Sequence, residues 1–567
     1  MELPLQLSVS LSSAPDLKPK IITIHEGATI IVGSNGAGKT QLLRGIKNSL
    51  ENQYRNRIQY LASGRLSPVE EYRSNVTGRN SGLAYENANY GPIQYRAARR
   101  KSETIYGTLH TLNIRPDLQI KVSERLQRFF GRDIFLEWEA GNLKAKFTDL
   151  NTAKGYSSAR EASGLLQLVV LLTALYNDEV KVLLIDEPEV SLHPQLQTFL
   201  LREINEVAGH ASKKGQKLII YSTHSTHMIN LRKARDISKI IFCNSIHEPI
   251  YQISMKADEL KGKKLQEFIT RIGQQYKLAF FCKYPILVEG ETEVIICNGL
   301  DLKLNLYLEA GNAQIVPVIG KGQFPVVAKF MRLIGKTPVI LTDADGLTDS
   351  TKIANIFSQL EMEIDAANNY GHRDLSSFLR DVHGDFCKQI ESRWSEIEDK
   401  AVLHPYYVHR ESSNKDETTI KRRAAFATLM SMTPQERSNL DNDWERLYSR
   451  ICALLNTLEQ YGCFILRRGT IESYYNSSVD FHNKPASAIE EVNFIHDHPS
   501  IETIKSNYSD VLRALQYAVQ TPQLDEVRAV ETNGKIDRYV GSILGSSIMF
   551  LGSYEMETGG LENRYTI

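Results

Sequence analysis

The chain carries no net charge: 67 Lys and Arg balance 67 Asp and Glu. That balance excludes a uniformly basic binder of polyanions, so any contact with nucleic acid must come from local patches. Cysteine is scarce, six in 567 residues, and no two form a C-x-x-C pair. This argues against a zinc ribbon or a disulfide framework, and the expected setting is a reducing cytoplasm. Long apolar runs are missing too. The longest, near Leu165 to Tyr176, falls short of the roughly 20 residues that cross a bilayer, so no membrane partner is expected. The opening MELPLQLSVS has neither a basic region nor a long apolar core, and no signal peptide is expected. The length allows about two to four domains with substantial cores.

What is present starts with IIVGSNGAGKTQLL, residues 30–43. Gly33, Gly38, Lys39 and Thr40 fit G-x-x-x-x-G-K-[ST], with Asn35 and Gly36 inside the loop. A β-branched run (Ile30, Ile31, Val32) precedes it and a helical pattern follows, the context a phosphate-binding loop needs. Glycines let backbone N–H groups crowd around phosphate oxygens, and the helix N-terminus adds a favourable dipole. Lys39 is placed to neutralise the terminal phosphates of ATP, and Thr40 to hold Mg²⁺.

Further along, VLLIDEP (Val182–Pro188) reads as a strand buried on both faces that ends in Asp186 and Glu187. Behind a phosphate loop, Asp186 orients Mg²⁺ and Glu187 polarises the attacking water. Ser163-Gly164-Leu165-Leu166-Gln167 opens an apolar helix, with Ser163 as its expected N-cap. LIIYSTHS (Leu218–Ser225) is a second buried strand, ending in His224. Gln59 lies on a further apolar run. Residues 64–115 are rich in Gly, Asn, Arg and Tyr without clear periodicity and read as a loop-rich lobe.

These elements resemble an ABC-type ATPase in their order. The resemblance implies that Gln59 links nucleotide to the rest of the head. Ser163 and Gly164 stand for the signature L-S-G-G-Q, whose second glycine is not matched here. Ser191-Leu192-His193-Pro194 holds the place of the D-loop, and His224 that of the switch histidine. It also implies that ATP is sandwiched between two heads, hence a homodimer. No long heptad stretch separates Thr40 from Ser163, so the long coiled-coil arms of some relatives are not expected.

A second α/β pattern starts at Pro285. PILVEGETEVII gives a strand and helix, GNAQIVPVIG a strand, FPVVAKFMRLIG a helix, and TPVILTDADG a third strand. A β-α-β-α-β order predicts a small parallel sheet with its function at the carboxyl ends. The acids lie there: Glu289 at the first tip, Glu293 a turn later, Asp343 and Asp345 at the third. Converging carboxylates repel unless cations bind, and hard oxygen ligands suit Mg²⁺ or Mn²⁺. E-G-x-x-E followed by D-x-D resembles the Toprim domain. Residues 350–460 read as helical and charged. CFILRRGTIESYY (Cys463–Tyr475) returns to a strand.

An ABC-type head followed by a Toprim domain resembles the OLD (overcoming lysogenisation defect) family of nucleases, which includes anti-phage effectors of Gabija-type systems and some retrons. The resemblance implies Glu472 as a further metal ligand and Lys484 as the lysine that assists at the scissile phosphate. The expected fold class is α/β: an ABC-type P-loop ATPase domain (residues 1–240), a linker (241–284), a Rossmann-like Toprim core (285–349) with a helical insertion (350–460), a Toprim completion (461–493) and a C-terminal helical region (494–567). The expected function is ATP-gated, metal-dependent cutting of DNA, taken as double-stranded, by a homodimer or higher homo-oligomer. Two rival roles remain: an ATPase scaffold that binds or repairs DNA, and a regulator of a partner such as a reverse transcriptase with its nucleic acid. Three short basic runs (Arg96–Lys101, Lys261–Lys264 and Lys421–Arg423) read as solvated faces.

Overall fold

The structure is a computed structural model. It describes all residues except 1–2, 12–16, 68, 71–87, 101, 358–370, 413–414, 481–482 and 520–567. Residues 1–519 form one compact unit. The C-terminal region expected beyond residue 519, the centre of the 64–115 lobe and parts of the helical insertion lie outside the described residues.

Two parallel sheets organise the chain. The first holds β1 (Thr29–Val32), β2 (Ile58–Leu61), β3 (Val182–Asp186), β4 (Leu218–Thr223) and β5 (Ile240–Phe242), in the order β5-β1-β4-β3-β2. The second holds β6 (Tyr284–Val288), β7 (Ala313–Pro317), β8 (Val339–Thr342) and β9 (Cys463–Ile465), in the order β7-β6-β8-β9. All neighbouring pairs in both sheets are parallel.

Continuous apolar runs form these strands because both faces are covered. Side chains alternate across a strand, so one run feeds two cores. Ile30 and Val32 join the central core with Leu183 and Ile185. Ile31 joins the opposite face with Val182 and Leu184, under the helix α1 (Lys39–Tyr54) and the hairpin Leu5–Val9/Lys20–Ile24. In the second sheet Leu287 and Ile340 face the central core. Ile286, Val288 and Leu341 face the other side, where the C-terminal helix Ser509–Val519 contributes Val511 and Leu515. The helix α2 (Ser163–Tyr176) is apolar all round because it runs through the central core, where Leu168 to Leu172 are fully buried.

Two expectations change here. The segment 241–284 is folded. β5 pairs with β1, and Ile253, Phe268, Ile269 and Phe280 are buried in the core that the two sheets share. Residues 105–114 are a helix, with Ile105, Leu109 and Leu112 buried. Its buried polar residues, such as His110 and Thr111, hide the apolar period in the sequence. Among the described residues of the insertion the long helices are Leu375–Arg393, Glu417–Ser431 and Asn442–Gln460.

Candidate nucleotide and metal sites

The phosphate loop leaves β1 and turns into α1 through Gly36 and Gly38, both at positive φ. A Cβ at Gly36 would meet nothing within 4 Å, so the concave side of the loop is open where phosphates sit. Gly33 serves another purpose: a Cβ there would lie 2.0 Å from the Cys243 carbonyl oxygen. Lys39 Nζ donates to the loop's own carbonyls, Gly33 O at 3.1 Å and Ser34 O at 3.0 Å. Burial lowers its pKa, against the opposing pull of Glu187 and Asp186.

Asp186 ends β3 and is shared. Thr40 Oγ1 donates to its Oδ2 at 2.8 Å and the Tyr60 hydroxyl to the same oxygen at 3.3 Å. The Ser222 hydroxyl donates to Oδ1. Glu187, the next residue, has φ 49°, a costly conformation for a non-glycine residue. Its N–H donates to Ser222 O at 3.2 Å, and its Oε1 lies 3.3 Å from His224 Nε2. His224 is held neutral, its pKa lowered to about 4 by burial and by Lys39. Gln59 Oε1 is buried with no hydrogen-bond partner, an acceptor suited to a cation or its water. These residues fit Mg²⁺-ATP.

Ser163 is not the N-cap of α2. Ala162 is, and Ser163 is the first helical residue, its hydroxyl donating to Glu70 Oε1 at 3.3 Å. Gly164 lies so close to the D-loop segment that a Cβ would stand 2.7 Å from Ser191 O.

Arg65 carried no signal in the sequence. It is fully buried and holds the end of β3 from behind. Its Nη1 donates to Asp186 O at 3.0 Å, its Nη2 to Glu187 O at 2.9 Å, and its Nε to Gln167 Oε1 on α2. Burial lowers its pKa to about 10, and it stays charged at neutral pH. Glu189, also unread, accepts the His224 N–H at 2.6 Å.

In the second sheet Glu289, Asp343 and Asp345 converge, each offering an oxygen within 4.8 Å of the others. Strand alternation is not the cause, since β8 stops at Thr342 and Asp345 begins the short helix Asp345–Thr348. Glu293 folds back as a cap, accepting the Gly290 N–H at 3.0 Å, and is buried. Burial raises the pKa of Asp343 well above the carboxylate range, and Glu293, Glu289 and Glu472 push it further the same way. One oxygen each of Glu289, Asp343, Asp345 and Glu472 is buried without a hydrogen-bond donor. Orphaned, mutually repelling carboxylate oxygens fit a divalent cation.

Glu472 sits on a 3₁₀ turn (Ile471–Tyr474) and pairs with Lys484 Nζ at 2.8 Å. Burial lowers the Lys484 pKa, but Glu472 and the other acids outweigh it and the net shift is upward. Three further groups were not read as site residues. Lys321, on the loop after β7, contacts Asp345 and lies 3.9 Å from Glu289 Oε2. Arg423, from the helical insertion, lies 3.4 Å from Asp345 Oδ2. The Tyr406 hydroxyl is buried and unpartnered. Arg423 thus leaves the solvated face assigned to its basic run. Its signal was hidden because the insertion shows no motif.

Residues 100–230 match the family described as "AAA domain, putative AbiEii toxin, Type IV TA system". Residues 280–345 match "Overcoming lysogenization defect protein-like, TOPRIM domain". Endonuclease GajA of Bacillus cereus (strain HuB5-5) is 24% identical over 212 residues, 32% of this chain and 31% of that protein. "Probable multidrug ABC transporter ATP-binding protein YbhF" of Escherichia coli (strain K12) is 26% identical over 303 residues, 52% of this chain and 44% of that protein. The same protein of Shigella flexneri matches equally. The chain therefore spans less than half the length of these relatives. Among the described residues no helix is long and apolar enough to cross a membrane.

Proposed function

Starting from an OLD-family chain, one that joins a P-loop ATPase domain to an OLD-like Toprim domain, we propose an ATP-dependent, divalent-metal-dependent DNA endonuclease. The observation that carries the reading is the cluster Glu289–Asp343–Asp345 at the ends of β6 and β8, with its buried, unpartnered oxygens. Glu289, Glu293, Asp343, Asp345 and Glu472 would hold Mg²⁺ or Mn²⁺, which when bound neutralises phosphodiester oxygens. Lys484, the first residue of the helix Lys484–Asp497, is paired with Glu472 of that ligand set and serves the scissile phosphate. In the head, Lys39 and the loop amides bind the ATP phosphates. Thr40 and Asp186 hold the accompanying cation, and Glu187 accepts the proton of the attacking water. ATP binding brings two heads together, with Ser163 and Gly164 facing the partner's nucleotide, and so gates the nuclease. The named endonuclease relative supports DNA as substrate. The anti-phage role rests on the family resemblance, and the cytoplasm is the compartment in which such an effector meets phage DNA.

The test is plasmid cleavage by the purified chain with Mg²⁺ or Mn²⁺, with and without ATP, beside Asp343→Ala. Metal-dependent nicking that the substitution abolishes is the expected result. Cleavage that survives it overturns the assignment of the chemistry to this cluster.

A further inference from the structure

Lys321 and the proposed metal ions compete for the same carboxylates. The lysine's ammonium contacts Asp345 Oδ2 and lies 3.9 Å from Glu289 Oε2. Those two residues, with Asp343, are the acids whose oxygens converge within 4.8 Å. A divalent cation and an ammonium cannot share that space, because both are drawn to the same lone pairs and repel one another.

A second cation borders the cluster but is held differently. Arg423 Nη1 is 3.4 Å from Asp345 Oδ2. Its guanidinium, however, is gripped as a fork by Asp349, with Nε donating to Oδ1 at 2.8 Å and Nη2 to Oδ2. It also stands over the Tyr406 ring, 5.6 Å from the centroid. Among the described residues Lys321 has no such anchor. The contacts of its ammonium are to the cluster's own carboxylates, and its backbone lies between Gly320 and Gly322. A Cβ at either glycine would meet nothing within 4 Å. Ile319 and Gly320 both have positive φ, 54° and 101°, and Ile319 is 75% exposed. Lys321 therefore follows an exposed turn whose strained residue is Ile319.

We propose that Lys321 is a built-in counter-cation. It occupies the divalent site of the metal-free Toprim domain and must be displaced when metal enters, whereas Arg423 stays in place. The proposal rests on the reading of Glu289, Asp343 and Asp345 as a divalent-cation site. Its consequence is a raised metal threshold: the cluster stays neutralised and closed to metal at low free Mg²⁺.

The test is Mn²⁺ binding to the full chain without nucleotide or DNA, followed by calorimetry and by the electron paramagnetic resonance of free Mn²⁺. Wild type is compared with Lys321→Ala, Lys321→Met, Lys321→Arg and Asp343→Ala. Without the ammonium there is no ion pair to break before metal enters, and Mn²⁺ binding is expected to tighten by about tenfold. Lys321→Ala and Lys321→Met therefore bind about tenfold tighter, and Lys321→Arg binds as wild type does. A merely structural lysine would give weaker binding in every variant. Wild-type binding that Asp343→Ala abolishes, but that neither neutral variant tightens, overturns the counter-cation and leaves the nuclease reading standing. Equal binding by wild type and Asp343→Ala, or none by wild type, overturns both.

Discussion

His224 Nε2 lies 3.3 Å from Glu187 Oε1 at the end of β3. The histidine is neutral and the glutamate sits in a strained turn fixed by the Ser222 carbonyl. An uncharged imidazole can report on a γ-phosphate by hydrogen bonding without adding a charge that competes with Lys39.

Glu187→Gln is therefore expected to slow ATP hydrolysis by about 10²–10⁴-fold, the usual worth of a positioned general base, with ATP still bound. Steady-state turnover beside fluorescent-nucleotide binding measures both. Unchanged turnover removes Glu187 as the base.

The low His224 pKa makes a statement about acid stability. Its folded value, about 4, lies below the ordinary 6.5, so the folded state favours the neutral ring. That contribution is present above pH 6.5 and is lost as pH falls toward 4. His224→Gln should flatten the decline in denaturation midpoint across this window. A wild-type slope in the variant would contradict the burial that lowers the pKa.

Replacing Arg65 with Met keeps much of the volume but leaves Asp186 O, Glu187 O and Gln167 Oε1 without their donor. Buried acceptors stripped of partners cost about 1–3 kcal/mol each, so a loss of about 3 kcal/mol or more in urea unfolding is expected. Hydrolysis should fall with it, because the carbonyls that set the direction of Asp186 and Glu187 are freed. A neutral substitution would mean that the guanidinium does not hold the strand end.

At the second site, Asp343→Asn removes a carboxyl whose charge is opposed first by burial and then by Glu293, Glu289 and Glu472. The metal-free protein should then melt higher at pH 8 than wild type, because Asp343 charges in the folded state only against its raised pKa. Added Mn²⁺ should stabilise wild type and leave the variant unmoved. Thermal melts with and without the metal decide it.

The groupings that were legible in the sequence are the local ones. Gly33 to Thr40, Asp186 with Glu187, and Glu289 with Glu293 are contiguous segments in which spacing alone puts the groups together. The strands were legible for the same reason, since a run such as VLLID is buried on two faces whatever lies on either side. Arg65 and Arg423 were not, because each acts across a long gap in sequence, 102 residues from Arg65 to Gln167 and 74 from Arg423 to Asp349. No periodicity encodes such a contact. Residues 241–284 looked like a linker because their buried residues (Ile253, Leu260, Phe268, Phe280) are thinly spaced among polar ones. Ser163 looked like a cap because serine favours that place, yet Ala162 takes it.

One apolar core runs from Ala28 through Phe268 and Phe280 to Ile340 and Ile465, so the two halves built on the parallel sheets are not beads on a string. Heat should meet a single cooperative object over residues 1–519 and give one calorimetric peak rather than two.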